Sequence, residues 1–299
     1  MRNIKGTTKV CAIIGNPVEH SISPVLHNTL ADICGIDLAY VPFLVEADNI
    51  ESAIKGAYSL NIFGINVTVP HKSSVINALA DIDPLAKSIG AVNTLVRAEG
   101  GYKGYNTDIL GLKRELDEAD ISLFGNEVII LGAGGAARAI AFLCASEKAS
   151  RIHILNRTVE KAQNIAFAVN EHFGTDTADA LNIADYKQLT GNSYICIQTT
   201  SVGLYPHSDE APVEDMDFYD RIKAGVDIIY NPTETKFMKL LKASSGTGFD
   251  GGAKKAYNGL KMLLYQGISA FELWNNLSVS SEQAAVVYEA MKREMGLGD

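Results

Sequence analysis

The sequence is poor in cysteine and contains no recognisable metal motif. Its 299 residues include four cysteines, which lie far apart, without a Cys-x-x-Cys pair or zinc-like Cys/His spacing. Disulfide frameworks are typical of short secreted domains, so scattered cysteines in a chain this long indicate small core residues in a reducing compartment. His20, His27 and His71 have no carboxylate or cysteine at ligand spacing. We therefore expect a cytoplasmic protein without a metal site.

The chain also lacks an excess of positive charge and a membrane segment. Its formal net charge of −9 argues against nucleic acid or an anionic membrane as a partner, although a local cation cluster could still bind a small anion. The N-terminal residues have no apolar signal-peptide core. The apolar stretch 128–145 contains Arg138 and several glycines, which favours a buried strand and helix over a membrane span.

The length and the order of predicted elements indicate two α/β domains. A chain of 299 residues exceeds the usual size of one domain. The first part is mostly strand followed by helix with one hairpin, whereas strand and helix alternate regularly after Gly125, which is typical of a doubly wound nucleotide-binding fold. We predict one domain from residues 1–108 and 256–299, to which the C-terminal helices return. Residues 109–255 form the other, Rossmann-like domain.

Three helix starts carry local signals. Ser23 before a proline predicts an N-cap. Asp48 with Glu51, and Ser280 with Gln283, have the spacing of a capping box. We expect a helix to begin at each of these places.

The heptapeptide 66–72 alternates apolar and polar residues and then reaches a proline, which predicts a short strand ending at Pro70. A helix should follow Lys72 and run to about Ala80. In open α/β sheets, ligands bind at such strand ends. The plain alternative is a strand, a turn and a solvated lysine. The functional interpretation places four polar side chains at and just beyond this strand end: Asn66, Thr68, His71 and Lys72.

A glycine-rich loop follows the predicted strand 128–131 and opens a helix. Gly132-x-Gly134-x-x-Ala137 is the dinucleotide-binding fingerprint in its alanine form. Gly132 allows the tight turn, Gly134 lets the backbone approach a pyrophosphate, and Ala137 permits close packing of the helix, whose free N–H groups face the phosphates. The predicted cofactor-binding residues are Gly132, Ala133, Gly134, Gly135 and Ala136.

The end of the next strand decides between the two nicotinamide cofactors. NAD sites normally carry an acidic residue about 20 residues past the loop. Asn156, Arg157 and Thr158 stand at that place, with Lys161 one turn further on. Because arginine offers a bidentate fork to phosphate, we predict NADP. The alternative is that both cations are merely solvated.

Together these motifs resemble the shikimate dehydrogenase family, including shikimate/quinate dehydrogenases, over nearly the whole chain. Besides the glycine loop, the resemblance rests on Gly-Asn-Pro-Val-Glu-His-Ser-Ile-Ser-Pro (15–24), Asn-Val-Thr-Val-Pro-His-Lys (66–72), Gly-Ala-Val-Asn-Thr (90–94), Asn-Thr-Asp (106–108), Asn-Arg-Thr (156–158) and Gly-Leu-Lys-Met-Leu-Leu-Tyr-Gln (259–266). It implies an NADP-dependent oxidoreductase that reversibly reduces 3-dehydroshikimate to shikimate in aromatic amino acid biosynthesis.

The resemblance also implies roles for individual residues. Ser21 and Ser23 would bind the substrate carboxylate, with Tyr230 reaching it from the nucleotide domain. Thr200 and Gly203 would belong to a cofactor-contact turn near the nicotinamide. The residues surrounding the ring hydroxyls would be Asn66, Thr68, Asn93, Asp108 and Gln266.

Lys72 and Asp108 are the only charged pair among these positions. Hydride transfer to a ketone leaves negative charge on oxygen, and a positioned acid contributes roughly 10²–10⁴ in rate. We hypothesise that Lys72 donates the proton in reduction, while Asp108 orients it and binds a substrate hydroxyl. A cationic Lys72 suits reduction, so oxidation should speed up as pH rises.

Two departures from the family pattern concern substrate choice. Ile109 follows Asn-Thr-Asp where the family commonly has glycine, and Lys261 replaces the second glycine of Gly-x-Gly-Met-Leu. One alternative is an enzyme with quinate activity or NAD use, and another is a non-catalytic ligand-sensing module. We expect a monomer or homodimer whose two domains close around the ligands.

Overall fold

The computed structural model describes residues 4–249 and 251–297, and it confirms the predicted α/β class. The chain divides into two compact units, one formed by residues 1–111 and 263–299, the other by residues 112–262. Within the described residues, no helix is long and apolar enough to cross a membrane.

The first unit contains a mixed six-stranded sheet with helices between its strands. In chain order, the elements are β1 (Lys9–Gly15), α1 (Ser23–Ile33), β2 (Leu38–Leu44), α2 (Ile50–Ser59), β3 (Gly64–Val67), β4 (Asp81–Ile82), α3 (Pro84–Ile89), β5 (Thr94–Ala98), β6 (Gly101–Tyr105) and α4 (Asp108–Glu118). The strand order is β2-β1-β3-β5-β6-β4, in which β5 runs antiparallel to β3 and to β6.

The second unit contains a parallel six-stranded sheet. Its elements are β7 (Glu127–Leu131), α5 (Gly135–Ser146), β8 (Arg151–Asn156), α6 (Val159–Phe173), β9 (Ala178–Asn182), β10 (Tyr194–Gln198), α7 (Met216–Asp220), β11 (Ile222–Asp227), α8 (Lys236–Ala243) and β12 (Lys255–Asn258). The strand order is β12-β11-β10-β7-β8-β9. Helices α9 (Leu260–Asn275) and α10 (Ser281–Glu294) complete the chain. The boundaries between the units fall inside α4 and α9.

The predicted helix starts have mixed outcomes. The capping box of Ser280 and Gln283 is confirmed. Ser23 is not the N-cap of α1, because Ile22 occupies that position and Ser23 is already the first helical residue. The capping box of Asp48 and Glu51 is wrong as well, because residues 47–49 form a 3₁₀ turn before α2.

The segment after Lys72 is also different from its prediction. Instead of an α-helix that follows Lys72 and runs to about Ala80, the chain forms a short 3₁₀ helix at Ser74–Ala78. The Lys72 carbonyl accepts a hydrogen bond from the Val92 N–H at 2.8 Å. At the start of an α-helix, this carbonyl would instead accept a hydrogen bond from the N–H four residues further along the chain.

The single tryptophan of the chain fills the core of the first unit. Trp274 is buried beside Tyr40, and its Nε1 donates to the Leu95 carbonyl at 3.0 Å. A Cβ on Gly64 would lie 2.4 Å from the Trp274 Nε1, so β3 can approach the ring only because residue 64 is glycine.

Gly64→Ala is therefore expected to destabilise the fold by about 1–3 kcal/mol, because the extra methyl group overpacks a buried, hydrogen-bonded ring. Denaturant unfolding followed by the fluorescence of Trp274 measures the change. Gly56→Ala is the matched control, since Gly56 lies exposed inside α2 with open space around it. That variant should gain about 0.5–1 kcal/mol from helix propensity. Equal effects of the two substitutions would contradict this packing interpretation.

Candidate active site

The end of strand β3 carries the segment that leads to Lys72. The Thr68 N–H donates to the Ile14 carbonyl at 2.9 Å, and the His71 N–H donates to the Thr68 carbonyl at 2.9 Å. The buried His71 ring bonds the Val45 carbonyl through Nε2 at 2.7 Å. His71 therefore anchors the turn between Thr68 and Lys72.

Lys72 and Asp108, the charged pair among the positions that the family resemblance marks, form an ion pair. The Lys72 Nζ lies 2.7 Å from Asp108 Oδ2, and the side chains are 29% and 12% exposed. The other carboxylate oxygen accepts from Asn93 Nδ2 at 2.9 Å. Asp108 is the first residue of α4, and its N–H donates to Asn106 Oδ1 at 3.1 Å. Both oxygens of this partly buried carboxylate are therefore engaged, which fixes its orientation.

The three predicted amide side chains lie close to this pair. Asn66 Oδ1 accepts from the Tyr40 hydroxyl at 2.7 Å, and Asn66 Nδ2 donates to the Asn93 carbonyl at 3.3 Å. Gln266, on α9, places Oε1 3.5 Å from Asn93 Nδ2. A hydrogen-bonded chain thus connects Tyr40 and Gln266 through Asn66 and Asn93.

The two predicted carboxylate-binding serines precede and begin α1. The Ser23 N–H donates to Ser21 Oγ at 3.3 Å, Ser23 is buried, and Ser21 is half-buried. Burial raises the pKa of Tyr40 well above its ordinary value, and the Ser23 side chain beside the Tyr40 hydroxyl acts in the opposite direction. Ser23 therefore belongs to the same polar group as Tyr40 and Asn66.

Several residues of this cluster were missed by sequence reasoning. Tyr40, Thr94 and Thr107 are buried and bond to predicted site residues, yet the sequence assigned them no role. Thr94 and Thr107 do stand inside the motifs 90–94 and 106–108, next to Asn93 and Asp108. This adjacency was the available signal.

In the second unit, the glycine loop lies between β7 and α5, where a nucleotide pyrophosphate would bind. Gly132 has a φ of +110°, and a Cβ there would lie 2.6 Å from Thr199 Oγ1. Around a Cβ built on Gly134 or Gly135, by contrast, no atom of the described residues other than chain neighbours comes within 4 Å. Ala137 is buried. The backbone of Gly134 and Gly135 at the start of α5 therefore borders open space, which fits a pyrophosphate at the helix N-terminus.

The carboxyl end of β8 lies beside this loop. The Gly132 N–H donates to the Leu155 carbonyl at 2.8 Å. Asn156 Nδ2 donates to the Thr158 carbonyl at 2.8 Å and so shapes the turn after the strand. Arg157, Thr158 and Lys161 are exposed, which fits a site for a 2′-phosphate.

Two further turns at this sheet carry predicted residues. Buried Gln198 donates to the carbonyls of Thr200 and Val202 at 3.2 and 3.0 Å, and this fixes the turn ending at Gly203, whose φ is +99°. Tyr230 follows β11, and burial raises its pKa. The preceding turn is held by Asp227, a buried carboxylate whose pKa burial raises to about 6.

Lys261, one of the two departures from the family pattern, pairs with α4. Its Nζ lies 2.6 Å from Glu118 Oε1. One turn earlier, Glu115 is only 2% exposed, and its Oε2 has no hydrogen-bond partner among the described residues. Burial raises the pKa of Glu115 to about 8, Glu118 acts in the same direction, and Lys261 and the Met262 N–H oppose the shift. The other departure, Ile109, is buried in the first turn of α4.

A parallel sheet with a glycine-rich phosphate loop and basic side chains after its second strand defines a nicotinamide-nucleotide dehydrogenase class. Family models match residues 13–95 as "Shikimate dehydrogenase substrate binding domain" and residues 114–219 as "Shikimate / quinate 5-dehydrogenase". The chain belongs to the shikimate dehydrogenase family, so the predicted family is confirmed.

Individual relatives agree with this assignment. "Shikimate dehydrogenase (NADP(+))" of Methanobrevibacter smithii is 45% identical over 273 residues, covering 91% of this chain and 92% of that protein. A solved shikimate dehydrogenase in complex with NADP+ has a TM-score of 0.85 and 36% identity, with 98% and 97% of the two chains covered. Shikimate 5-dehydrogenase of Listeria monocytogenes in complex with shikimate and NAD has a TM-score of 0.84 and 30% identity, with 96% and 98% covered.

Glu115→Gln is expected to flatten the pH dependence of stability. Because the folded-state pKa of Glu115 lies above the unfolded value, its contribution is fully present below about pH 4.5 and is lost as pH rises through about 8. Between pH 6 and 8 the wild type should therefore lose on the order of 2 kcal/mol that the neutral glutamine variant keeps.

Thermal unfolding of both proteins across this pH range measures the difference. Glu171→Gln, at an exposed position on α6, is the control and should follow the wild type. If Glu115→Gln and the wild type showed parallel pH profiles, Glu115 would not be the titrating group.

Proposed function

We propose that this protein catalyses the NADP-dependent, reversible reduction of 3-dehydroshikimate to shikimate. The observation that carries the proposal is the ion pair of Lys72 and Asp108, held within a cluster of amide side chains suited to a polyhydroxylated ring. The family, the enzyme class and the NADP cofactor predicted from the sequence agree with the relatives described above.

Lys72 is the proton donor in the reduction. As hydride reaches the carbonyl carbon, charge develops on oxygen, and an ammonium group held at a fixed place can neutralise it. In oxidation the same nitrogen accepts the proton of the substrate hydroxyl. Asp108 keeps the flexible lysine side chain in place through its Oδ2.

The other polar groups position the substrate. Donors and acceptors for the ring hydroxyls come from three amides and one hydroxyl, those of Asn66, Asn93, Gln266 and Thr68. Ser21, Ser23 and Tyr230 are proposed to bind the carboxylate, as the family resemblance implies.

The cofactor NADP supplies the hydride. At the glycine loop 132–136, the Gly132 N–H is bonded to the Leu155 carbonyl, and the N-terminus of α5, which begins at Gly135, would bind the pyrophosphate. Arg157, Thr158 and Lys161 would hold the 2′-phosphate, with Asn156 shaping their turn. The turn of Thr200 and Gly203 is proposed to contact the nicotinamide end.

A cytoplasmic location is proposed as well. All four cysteines are free thiols, three of them buried, which suits a reducing compartment. Use of quinate, or of NAD in place of NADP, stays a prediction of the family resemblance. A monomer or homodimer also stays a prediction.

Lys72→Ala should lower kcat by roughly 10²–10⁴, because the positioned acid is lost, whereas KM for shikimate stays within a few-fold. Steady-state oxidation of shikimate with NADP measures both constants. Lys87→Ala removes an exposed lysine from α3 of the same unit and should leave both unchanged. A near-normal kcat in Lys72→Ala would refute the assignment of the acid.

Arg157→Ala should raise KM for NADP roughly 10- to 100-fold, since a charge-assisted contact to phosphate is removed. The KM for NAD, which lacks the 2′-phosphate, should not change, so the two cofactors provide an internal comparison. Arg293→Ala, at an exposed position on α10, is the control for loss of positive charge. An equal loss with NAD and NADP would show that Arg157 does not read the 2′-phosphate.

A further inference from the structure

One buried hydroxyl joins the two asparagines of the candidate site. Thr94, the first residue of β5, is 0% exposed and lies opposite Asn66 in the ladder between β3 and β5. Its Oγ1 lies 3.2 Å from Asn66 Nδ2, 3.1 Å from Asn93 Oδ1 and 3.0 Å from Thr107 Oγ1. A hydroxyl has one donor and two acceptor sites, so these three neighbours use its full capacity.

The surroundings of Asn93 permit only one orientation of its amide. The oxygen accepts from the Thr107 N–H at 2.7 Å, while the hydroxyls of Thr107 and Thr94 both lie 3.1 Å away. The nitrogen donates to Asp108 Oδ1 at 2.9 Å. A flipped amide would place its N–H groups against the Thr107 N–H and its oxygen against a carboxylate. Both contacts are repulsive.

The amide of Asn66 is fixed in a similar way. Its oxygen accepts from the Tyr40 hydroxyl, and its nitrogen donates to Thr94 Oγ1. The Thr94 hydroxyl therefore connects the side chains of Asn66 and Asn93. Asn93 in turn bonds Asp108, which pairs with Lys72. Buried polar networks of this kind keep their geometry only when every member is satisfied.

We propose that Thr94 is a positioning residue that sets the affinity for the hydroxylated ring, with the Thr107 hydroxyl supporting it. Thr94 acts through the amides of Asn66 and Asn93 and does not itself contact the substrate. This inference rests on the proposed function, because its effect is measured with shikimate.

The test compares Thr94→Val, which keeps the shape of the side chain but removes the hydroxyl, with Thr94→Ser, which keeps the hydroxyl. For Thr94→Val we expect KM for shikimate, and Kd from calorimetry without cofactor, to rise about 5- to 30-fold, as for one lost hydrogen bond. The kcat should fall less than about 5-fold, and KM for NADP should stay within about twofold. Thr94→Ser should be close to the wild type in all four constants.

A purely structural role would lower the melting temperature of Thr94→Val without changing the affinity for shikimate, and that result would overturn the inference. An equal loss in Thr94→Ser would overturn it too, because the hydroxyl would then not be the acting group. If Thr94→Val did not fold, Thr107→Val compared with Thr107→Ser provides the same contrast, since that hydroxyl contacts Thr94 and Asn93. A wild type that neither binds nor oxidises shikimate would instead overturn the proposed function, and this inference with it.

Discussion

The candidate site depends on how the Asp108 carboxylate is shared. One oxygen meets the Lys72 ammonium at 2.7 Å and the other meets the Asn93 amide at 2.9 Å. A carboxylate held from both sides has one orientation, and it holds the long lysine side chain at one place. Proton transfer requires a donor within hydrogen-bonding reach of the reacting oxygen. The two contacts of Asp108 therefore hold Lys72 at the position that the proposed proton transfer needs.

The sequence predicted those features that depend on local pattern. The glycine loop before α5 and the capping box at Ser280 follow from spacing within a few residues. A strand before Pro70 was predicted as well, but β3 ends at Val67 and not at the proline. The meeting of Lys72 with Asp108 could not be obtained in that way. It depends on the sheet order, in which β5 lies between β3 and β6, and only the family resemblance pointed to it.

Local signals failed where a tertiary contact used the same atoms. Ser23 looked like an N-cap, but its hydroxyl lies beside Tyr40 and its N–H bonds Ser21. The helix expected after Lys72 is replaced by a 3₁₀ helix, since the Lys72 carbonyl is bonded to Val92. Sequence reasoning also missed the roles of Thr94 and Glu115. A threonine at a strand start and a glutamate on a helix are ordinary in sequence, and only their buried surroundings distinguish them.

Lys72 and Asp108 are proposed to serve the oxidation and reduction of a hydroxylated ring acid with NADP. Steady-state oxidation of shikimate and quinate by the wild-type protein, each with NADP and with NAD, is the decisive experiment. We expect the highest kcat/KM for shikimate with NADP. No turnover with any of the four pairs would refute this function and would favour a ligand-sensing module that kept the fold.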